Sequence, residues 1–310
     1  MTAYPSLDTA AAVQPVDRRS RTERPKQRRR SGQRPSIALT VVMICFAVYA
    51  LLPLVWMLIN STKTYEGLLG SFGLWFADDF ALFQNIGEVL TRDDGIYVRW
   101  FLNTIVYVIA GAGGATVLSA LGGYGMAKYT FPGKKVIFAV ILGAIAIPGT
   151  ALAVPTFLMF SSLSMTNTMA SVIVPALASP FGFYLMWIFA REVPTEVIEA
   201  ARMDGSSELR TFFTIALPMM APGLVTVFLF DVVATWNNYF LPLIMLRSDE
   251  LFPLSVGLQA WNLEAQGIQG GAVYHLVITA SLLTVIPIVI AFLALQRFWQ
   301  NGLSAGSVKG

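Results

Sequence analysis

The chain has 310 residues, of which 55% are hydrophobic and 13% charged, and its mean hydropathy is +0.64. These proportions exclude a soluble domain and place it among integral membrane proteins. The net charge of +3 conceals a strong segregation of sign, while one cysteine (Cys45) excludes an intrachain disulfide and one histidine (His275) a multi-histidine metal site.

Residues 1–36 are polar, proline-dotted and basic, with nine Lys or Arg between Arg18 and Arg34. Too few apolar residues are present to form a core, so the stretch reads as a disordered cytoplasmic tail. It lacks the apolar core and small-residue cleavage site of a secretory signal. Two roles stand open: attachment to anionic lipid, at about 1 kcal/mol per basic residue, and the setting of topology.

Residues 37–59 are uncharged and long enough to span a bilayer. Residues 60–98 turn polar and acidic, with Glu66, Asp78, Asp79, Glu88, Asp93 and Asp94. A second span is expected over 100–127, where Gly111, Ala115, Ser119 and Gly123 recur every four residues. Such a small-residue stripe allows close helix approach, either within this chain or onto a partner subunit. Lys128, Lys134 and Lys135 form a basic turn around Pro132 and Gly133. No charge follows until Arg191. That is too long for one span, and the small polar cluster at 161–167 divides it into spans at 136–160 and 168–190. Their prolines are tolerated where neighbouring helices satisfy the freed carbonyls. A charged loop at 191–218 precedes a fifth span, 219–246, an exposed segment, 247–271, a sixth span, 272–296, and a terminal tail, 297–310.

Charge orients these six spans. Seventeen of the 21 Lys and Arg fall in the tail, the 128–135 turn, the 191–218 loop and the C-terminus; the others are Lys63, Arg92, Arg99 and Arg247. The excess of basic residues marks the cytoplasmic side, so both termini and the 191–218 loop face the cytoplasm. Nothing resembles a phosphate-binding loop, since Gly133-Lys134-Lys135 lacks the upstream glycine spacing and the Ser/Thr. Energy for any transport must come from another polypeptide.

The 191–218 loop, REVPTEVIEAARMDGSSELRTFFTIALP, reads as two short helices joined by a glycine turn. Pro194 suits the first turn of a helix, Gly205 the left-handed residue that ends it, and Ser206 or Ser207 the cap of the next. In the second helix Leu209, Phe212, Phe213 and Ala216 fall on one apolar face. Asp231 is the one acid inside an expected span, a costly position. It shares a helical face with Thr235 and Asn238, and Trp236, Asn237 and Tyr239 are close by in sequence. Amides and a carboxylate beside flat aromatic rings suit a sugar path; a structural hydrogen bond between helices is the competing reading. His275, at the outer end of the sixth span, reads as an interfacial or packing histidine before a ligand.

Two segments carry a family resemblance. Glu199-Ala200-Ala201, then Gly205, then Ile215, Leu217 and Pro218 resemble the EAA loop of ABC importer permeases, and Arg202, Met203 and Asp204 complete the EAARxDG form typical of sugar permeases. Residues 296–310, QRFWQNGLSAGSVKG, resemble the tail of the smaller membrane subunit of maltose/trehalose-type importers, with Ser307 where alanine is usual. Trp236-Asn237-Asn238-Tyr239 with Leu241-Pro242-Leu243 resembles that family's WN(D/E)xxxPL segment. The likeness covers roughly residues 37–310 and implies an all-α integral membrane protein of six transmembrane helices with a cytoplasmic coupling helix. It implies ATPase coupling through Glu199, Ala200, Ala201, Arg202, Met203, Asp204 and Gly205, and a sugar path near Asp231, Thr235, Asn237, Asn238 and Tyr239. The implied partners are a second, similar permease, two ATPase subunits and an extracellular sugar-binding (lipo)protein, with membrane lipid and sugar but no nucleic acid. No catalytic residue, metal or cofactor is expected in this chain; ATP and Mg belong to the ATPase. A non-sugar ABC permease, and a self-sufficient channel or secondary transporter, are the alternative readings.

Overall fold

The computed structural model of the chain describes residues 37–267 and 273–306, without the side chains of 295 and 297–306. The expected basic tail at 1–36, the end of the outer segment at 268–271 and residues 307–310 lie outside the described residues. Residues up to Ala50 and residues from Leu51 onward form separate units. Of the first, the described part is the beginning of helix α1.

Helix α1 (Ile37–Ser61) has 25 residues, none of them charged. At 1.5 Å per residue that length crosses a hydrocarbon core. Its last residues are buried, and there the polar segment that follows is tied down: Asn85 Nδ2 donates to the carbonyls of Ser61 and Lys63, 2.9 Å each. Lys63, fully buried, donates to Phe72 O at 2.9 Å, and burial lowers its pKa. The short helix α2 (Tyr65–Gly70) is capped by Thr64, whose hydroxyl accepts from Gly67 N.

Helix α3 (Leu82–Tyr107) is broken at Arg92–Gly95, where Asp93, Asp94 and Gly95 take φ of 48°, 57° and 77°. Left-handed backbone is tolerated by Asp and Gly and ends regular helix. A π-turn at Val108–Ala112 joins α3 to α4 (Gly113–Lys128). Helices α5 (Lys134–Ile145) and α6 (Gly149–Ser162) come next, bent by 108° at residues 146–148. The span expected at 136–160 is thus a bent pair of helices. Pro148 supplies no N–H and pushes Ile147 away from helical geometry, so the chain turns there as well as at 161–167.

Helix α7 (Ala170–Ala176) leads through residues 177–179 into α8 (Pro180–Glu192), with Ser179 as cap and Pro180 in the first turn. The charged loop holds α9 (Thr195–Met203), α10 (Glu208–Thr211), a π-turn at Phe212–Ala216 and α11 (Leu217–Met219). A bend of 82° then introduces α12 (Ala221–Trp236). The fifth span expected at 219–246 is also interrupted, because α12 stops at Trp236 and α13 (Phe240–Met245) begins after a three-residue break. Helices α14 (Leu254–Gln266) and α15 (Tyr274–Gly306) complete the fold. Among the described residues four helical stretches are long and apolar enough to cross a membrane, Ile37–Ser61, Leu82–Lys128 (α3 through α4), Ala170–Glu192 (α7 and α8) and Tyr274–Ala294, and up to six spans result when each bent pair counts as one.

Two cores position the functional elements. One, on α3, α12, α14 and α15, gathers Trp100, Trp236, Trp261 and Leu276. The other joins α4, α8 and α12 to the charged loop through Tyr124, Met186, Ile198, Phe212 and Met220. The small-residue stripe faces inward. A Cβ placed on Gly123 would stand 2.7 Å from Trp187 N, and one on Gly111 would stand 3.2 Å from Ala176 Cβ. Ala115 and Ser119 are also buried. The stripe therefore packs within this chain, Gly111 of the π-turn against α7 and Gly123 of α4 against α8.

Candidate functional site: a two-faced charged loop

Local sequence sets the turn between α9 and α10. Gly205 takes φ 79°. Ser206 N donates to Ala201 O and Gly205 N to Arg202 O, 3.0 Å each. This paired closure satisfies carbonyls that a helix end leaves open. Ser207 then caps α10, its hydroxyl accepting from Arg210 N.

The loop has two faces of opposite character. Toward the bundle point Ile198 (1% exposed), Phe212 (3%) and Ala216 (0%), packed with Tyr124 and Met186. Outward point Met203 (84% exposed), Leu209 (68%) and Phe213 (53%), with Glu199, Ala200, Arg202, Asp204 and Gly205 exposed around them. Ala201 is buried on the inner face. The apolar face expected from Leu209, Phe212, Phe213 and Ala216 is thus split between the two sides. Leu209 and Phe213 form one four-residue step on the outer side, and Phe212, Ala216 and Met220 another on the inner side, the π-turn at Phe212–Ala216 widening the helix between them.

A polar clamp fixes the loop to the neighbouring 129–133 turn. Arg202 donates to Glu208 through Nε at 2.7 Å and Nη2 at 3.0 Å. Tyr129 donates its hydroxyl to the same carboxylate, and Arg202 lies over the Tyr129 ring at 5.8 Å. The Arg202 and Tyr129 hydrogen bonds lower the Glu208 pKa, while the bond to Glu208 raises that of Arg202. Burial, then the Glu208 bond, pushes the Tyr129 phenol up to about 12. On the other side Lys128 Nζ donates to Val193 O, in the two-residue link between α8 and α9. Sequence reading missed Tyr129, Glu208 and Lys128 as partners of the loop; the basic turn at 128–135 was the one signal available.

The expected sugar-path residues fall into two groups. Asp231, buried on α12, accepts from Ser179 Oγ at 2.8 Å. Thr116 shares one hydroxyl proton between Asp231 Oδ2 (3.1 Å) and Ala112 O (2.9 Å). The acid thereby bolts three elements together, the π-turn and α4, the α7–α8 break, and α12. Thr235, one turn on, is half-buried beside Gly111. Asn237, Asn238 and Tyr239 lie beyond the last turn of α12, so the face expected to unite Asp231, Thr235 and Asn238 ends at Trp236. Asn237 Nδ2 donates to Val233 O, and Asn238 O accepts from Ser255 Oγ at 2.7 Å.

Two of the remaining basic residues form ion pairs elsewhere in the chain. Arg92 pairs with Glu264 at 2.7 Å and lies over Trp261, and Arg99 pairs with Glu250 at 3.3 Å. Trp100 Nε1 donates to Asp249 O. His275, buried at the start of α15, stands 3.9 Å from Glu88. Among the described residues no group of His, Cys, Asp and Glu could hold a metal ion.

Residues 119–303 match the model of the binding-protein-dependent transport system inner membrane component family. The chain is 32% identical to the arabinooligosaccharides transport system permease protein of Halalkalibacterium halodurans, covering 88% of this chain and 96% of that one. It is 29% identical to the diacetylchitobiose uptake system permease protein of Streptomyces coelicolor, covering 86% and 87%. In fold it is similar to a chain of a bacterial ABC transporter involved in the import of the acidic polysaccharide alginate, with TM-score 0.76 over 85% of this chain and 95% of that one, at 22% identity.

Proposed function

The chain belongs to the binding-protein-dependent transport system inner membrane components, and we propose that it is the permease subunit of an ATP-driven importer carrying a di- or oligosaccharide into the cytoplasm. Membership makes it a multi-pass protein of the inner membrane that works with a binding protein and an ATPase. The reading goes further: the assembly holds a second, similar permease, two ATPase subunits that bind ATP and Mg, and an extracellular sugar-binding lipoprotein, with both termini of this chain in the cytoplasm.

The observation that carries the reading is the split loop. Ile198, Phe212 and Ala216 are locked into the bundle while Met203, Leu209 and Phe213 stand uncovered beside Glu199, Asp204 and Gly205. A membrane-surface element with one finished apolar face and one bare one is built to seat in a partner. ATP binding closes the ATPase pair and moves α9. Two residues separate α9 from α8, and α8 is packed tightly on α4, so displacement passes into the spans. A ligand shifts such an equilibrium only through contacts that differ between states, and the outer face of the loop supplies them. Asn237, Asn238 and Tyr239 at the break after α12, with Thr235 on the turn before, line the sugar path; Asp231 fixes the helix that carries them.

Crosslinking tests this directly. In a Cys45→Ser background, Met203→Cys is expected to crosslink to an ATP-hydrolysing chain in the working assembly, whereas Ala201→Cys, only 7% exposed, is not. Absence of the Met203 crosslink during active transport would remove the coupling role.

A further inference from the structure

One cavity of about 360 Å³ lies between the end of α1, the body of α14 and the first turns of α15, lined by Trp56, Ser255, Gln259, Asn262, Tyr274 and Ser281, with four apolar side chains. None of its lining residues is charged. Its size falls at the lower end of small-molecule sites, roughly 300–1,000 Å³.

Helix α14 aims its polar side chains into this space for a reason visible in its packing. Leu254, Gly257, Trp261 and Ala265 form its buried face. Gly257 sits so close to the Trp100 ring that a Cβ there would stand 2.2 Å from it. That contact sets the roll of the helix. Ser255, Gln259 and Asn262, at i, i+4 and i+7, therefore form one stripe on another face. Ser255 is occupied by Asn238 O, which ties the stripe to the break after α12. The side-chain amides of Gln259 and Asn262 make no hydrogen bond to the described residues. Each amide offers two donors and two acceptor lone pairs.

We infer that this cavity is a saccharide subsite in which Gln259 and Asn262 hydrogen-bond sugar hydroxyls while Trp56 and Tyr274 cover the C–H faces of the ring. Unused amides beside aromatic surface match a neutral polyol, whose hydroxyls both donate and accept. The uncharged lining disfavours a lipid phosphate or a carboxylate. A second cavity, around Trp100 and Trp261, is instead rimmed by Asp93, Asp249, Glu250 and Glu264, with Arg92 and Arg99 paired to three of these acids. The inference rests on the sugar-importer reading and assigns residues outside those already placed on the path.

The test uses the complete importer in proteoliposomes with its sugar-loaded binding protein. Maltose and arabinotriose are the starting probes within a screen of neutral oligosaccharides, and the best carried is used throughout. The double variant Gln259→Ala/Asn262→Ala is expected to lower sugar flux about tenfold, the loss of two ordinary hydrogen bonds, while ATPase stimulation by the loaded binding protein is kept. Trp56→Ala is expected to do the same and Trp56→Phe to retain flux. Unchanged flux in the double variant overturns the subsite alone. Loss of the second permease on purification assigns the stripe to subunit contact and overturns it too. A wild-type importer that carries no saccharide overturns the sugar reading itself, and the subsite with it.

Discussion

Arg202 and Glu208 face each other across the turn at Gly205, joined by two hydrogen bonds of 2.7 and 3.0 Å. Both are exposed, so the pair adds little to global stability. Its effect is geometric: it holds α9 and α10 in one orientation, and Tyr129 ties both to the turn after α4. An ATPase that pushes on such a loop meets a rigid body instead of two loose helices.

Removing that rigidity is expected to uncouple transport from hydrolysis. Arg202→Ala and Glu208→Ala should each leave the subunit in the membrane with near-wild-type thermal stability, yet lower the sugar moved per ATP hydrolysed. The ratio of uptake to phosphate release in proteoliposomes checks this. Equal ratios in wild type and both variants would count against the clamp.

The same carboxylate gives a pH dependence with a defined sign. Hydrogen bonds from Arg202 and Tyr129 depress the Glu208 pKa below its ordinary 4.5. A depressed carboxyl contributes its stabilisation above the ordinary value and loses it as pH falls through the lowered one. The loop is therefore expected to loosen below about pH 4.5, in a manner screened by salt. Hydrogen exchange of residues 199–208 across pH 3–6, compared with Tyr129→Phe, reads it out; the variant should loosen at higher pH.

Gly205 tests the turn without disturbing packing. A Cβ there meets nothing within 4 Å, while φ is 79°. Within this chain any cost of Gly205→Ala is thus backbone strain, about 1–2 kcal/mol. Gly205→Asn should cost less, and Gly205→Pro, whose ring forbids positive φ, should abolish uptake. Uptake ordered Gly, Asn, Ala, Pro with membrane levels unchanged is the expected result.

How far the chain could be read before its structure depended on range. The glycine turn with its serine cap is written within a few residues, so 204–207 were legible. Composition exposed the apolar spans, yet the 108° bend at residues 146–148 lay hidden among uncharged residues, with Pro148 its one local sign. The π-turn at Phe212–Ala216 leaves no trace in a 3.6-residue pattern, and such a pattern groups Phe213 with Phe212. Tyr129 stands 79 residues from Glu208, and no periodicity connects them. For Asp231, residue type announced an unusual site, but Ser179 and Thr116 come from other helices and emerged only in three dimensions.

Glycines at α4 separate close packing from open space. Gly123→Ala would set a Cβ 2.7 Å from Trp187 N and 2.8 Å from Met186 C, both backbone atoms that cannot swing aside. Overpacking of this kind costs about 1–3 kcal/mol, so the apparent Tm in detergent should fall. Two residues on, a Cβ at Gly125 meets nothing within 4 Å, and Gly125→Ala should stabilise the helix by roughly 0.5–1 kcal/mol. Matching losses at both positions would show that α4 is sensitive to any change and not to its contact with α8.

Asp231 offers the sharpest separation of structure from transport. Its carboxylate accepts from Ser179 Oγ, which also caps α8, and from Thr116 on α4. Asp231→Ala leaves both hydroxyls without that acceptor inside the bundle, at about 1–3 kcal/mol. Asp231→Asn keeps one good acceptor and should cost less. Ser179→Ala removes a bond and a cap together, about 0.5–2 kcal/mol. If the acid is a bolt, all three variants lower the apparent Tm, in proportion to the bonds lost. The choice among sugars is then expected not to change, because the carboxylate serves donors of this chain, Ser179 on one oxygen and Thr116 on the other. Altered sugar preference at unchanged Tm would instead place Asp231 on the path, and the bolt would have to be sought elsewhere in α12.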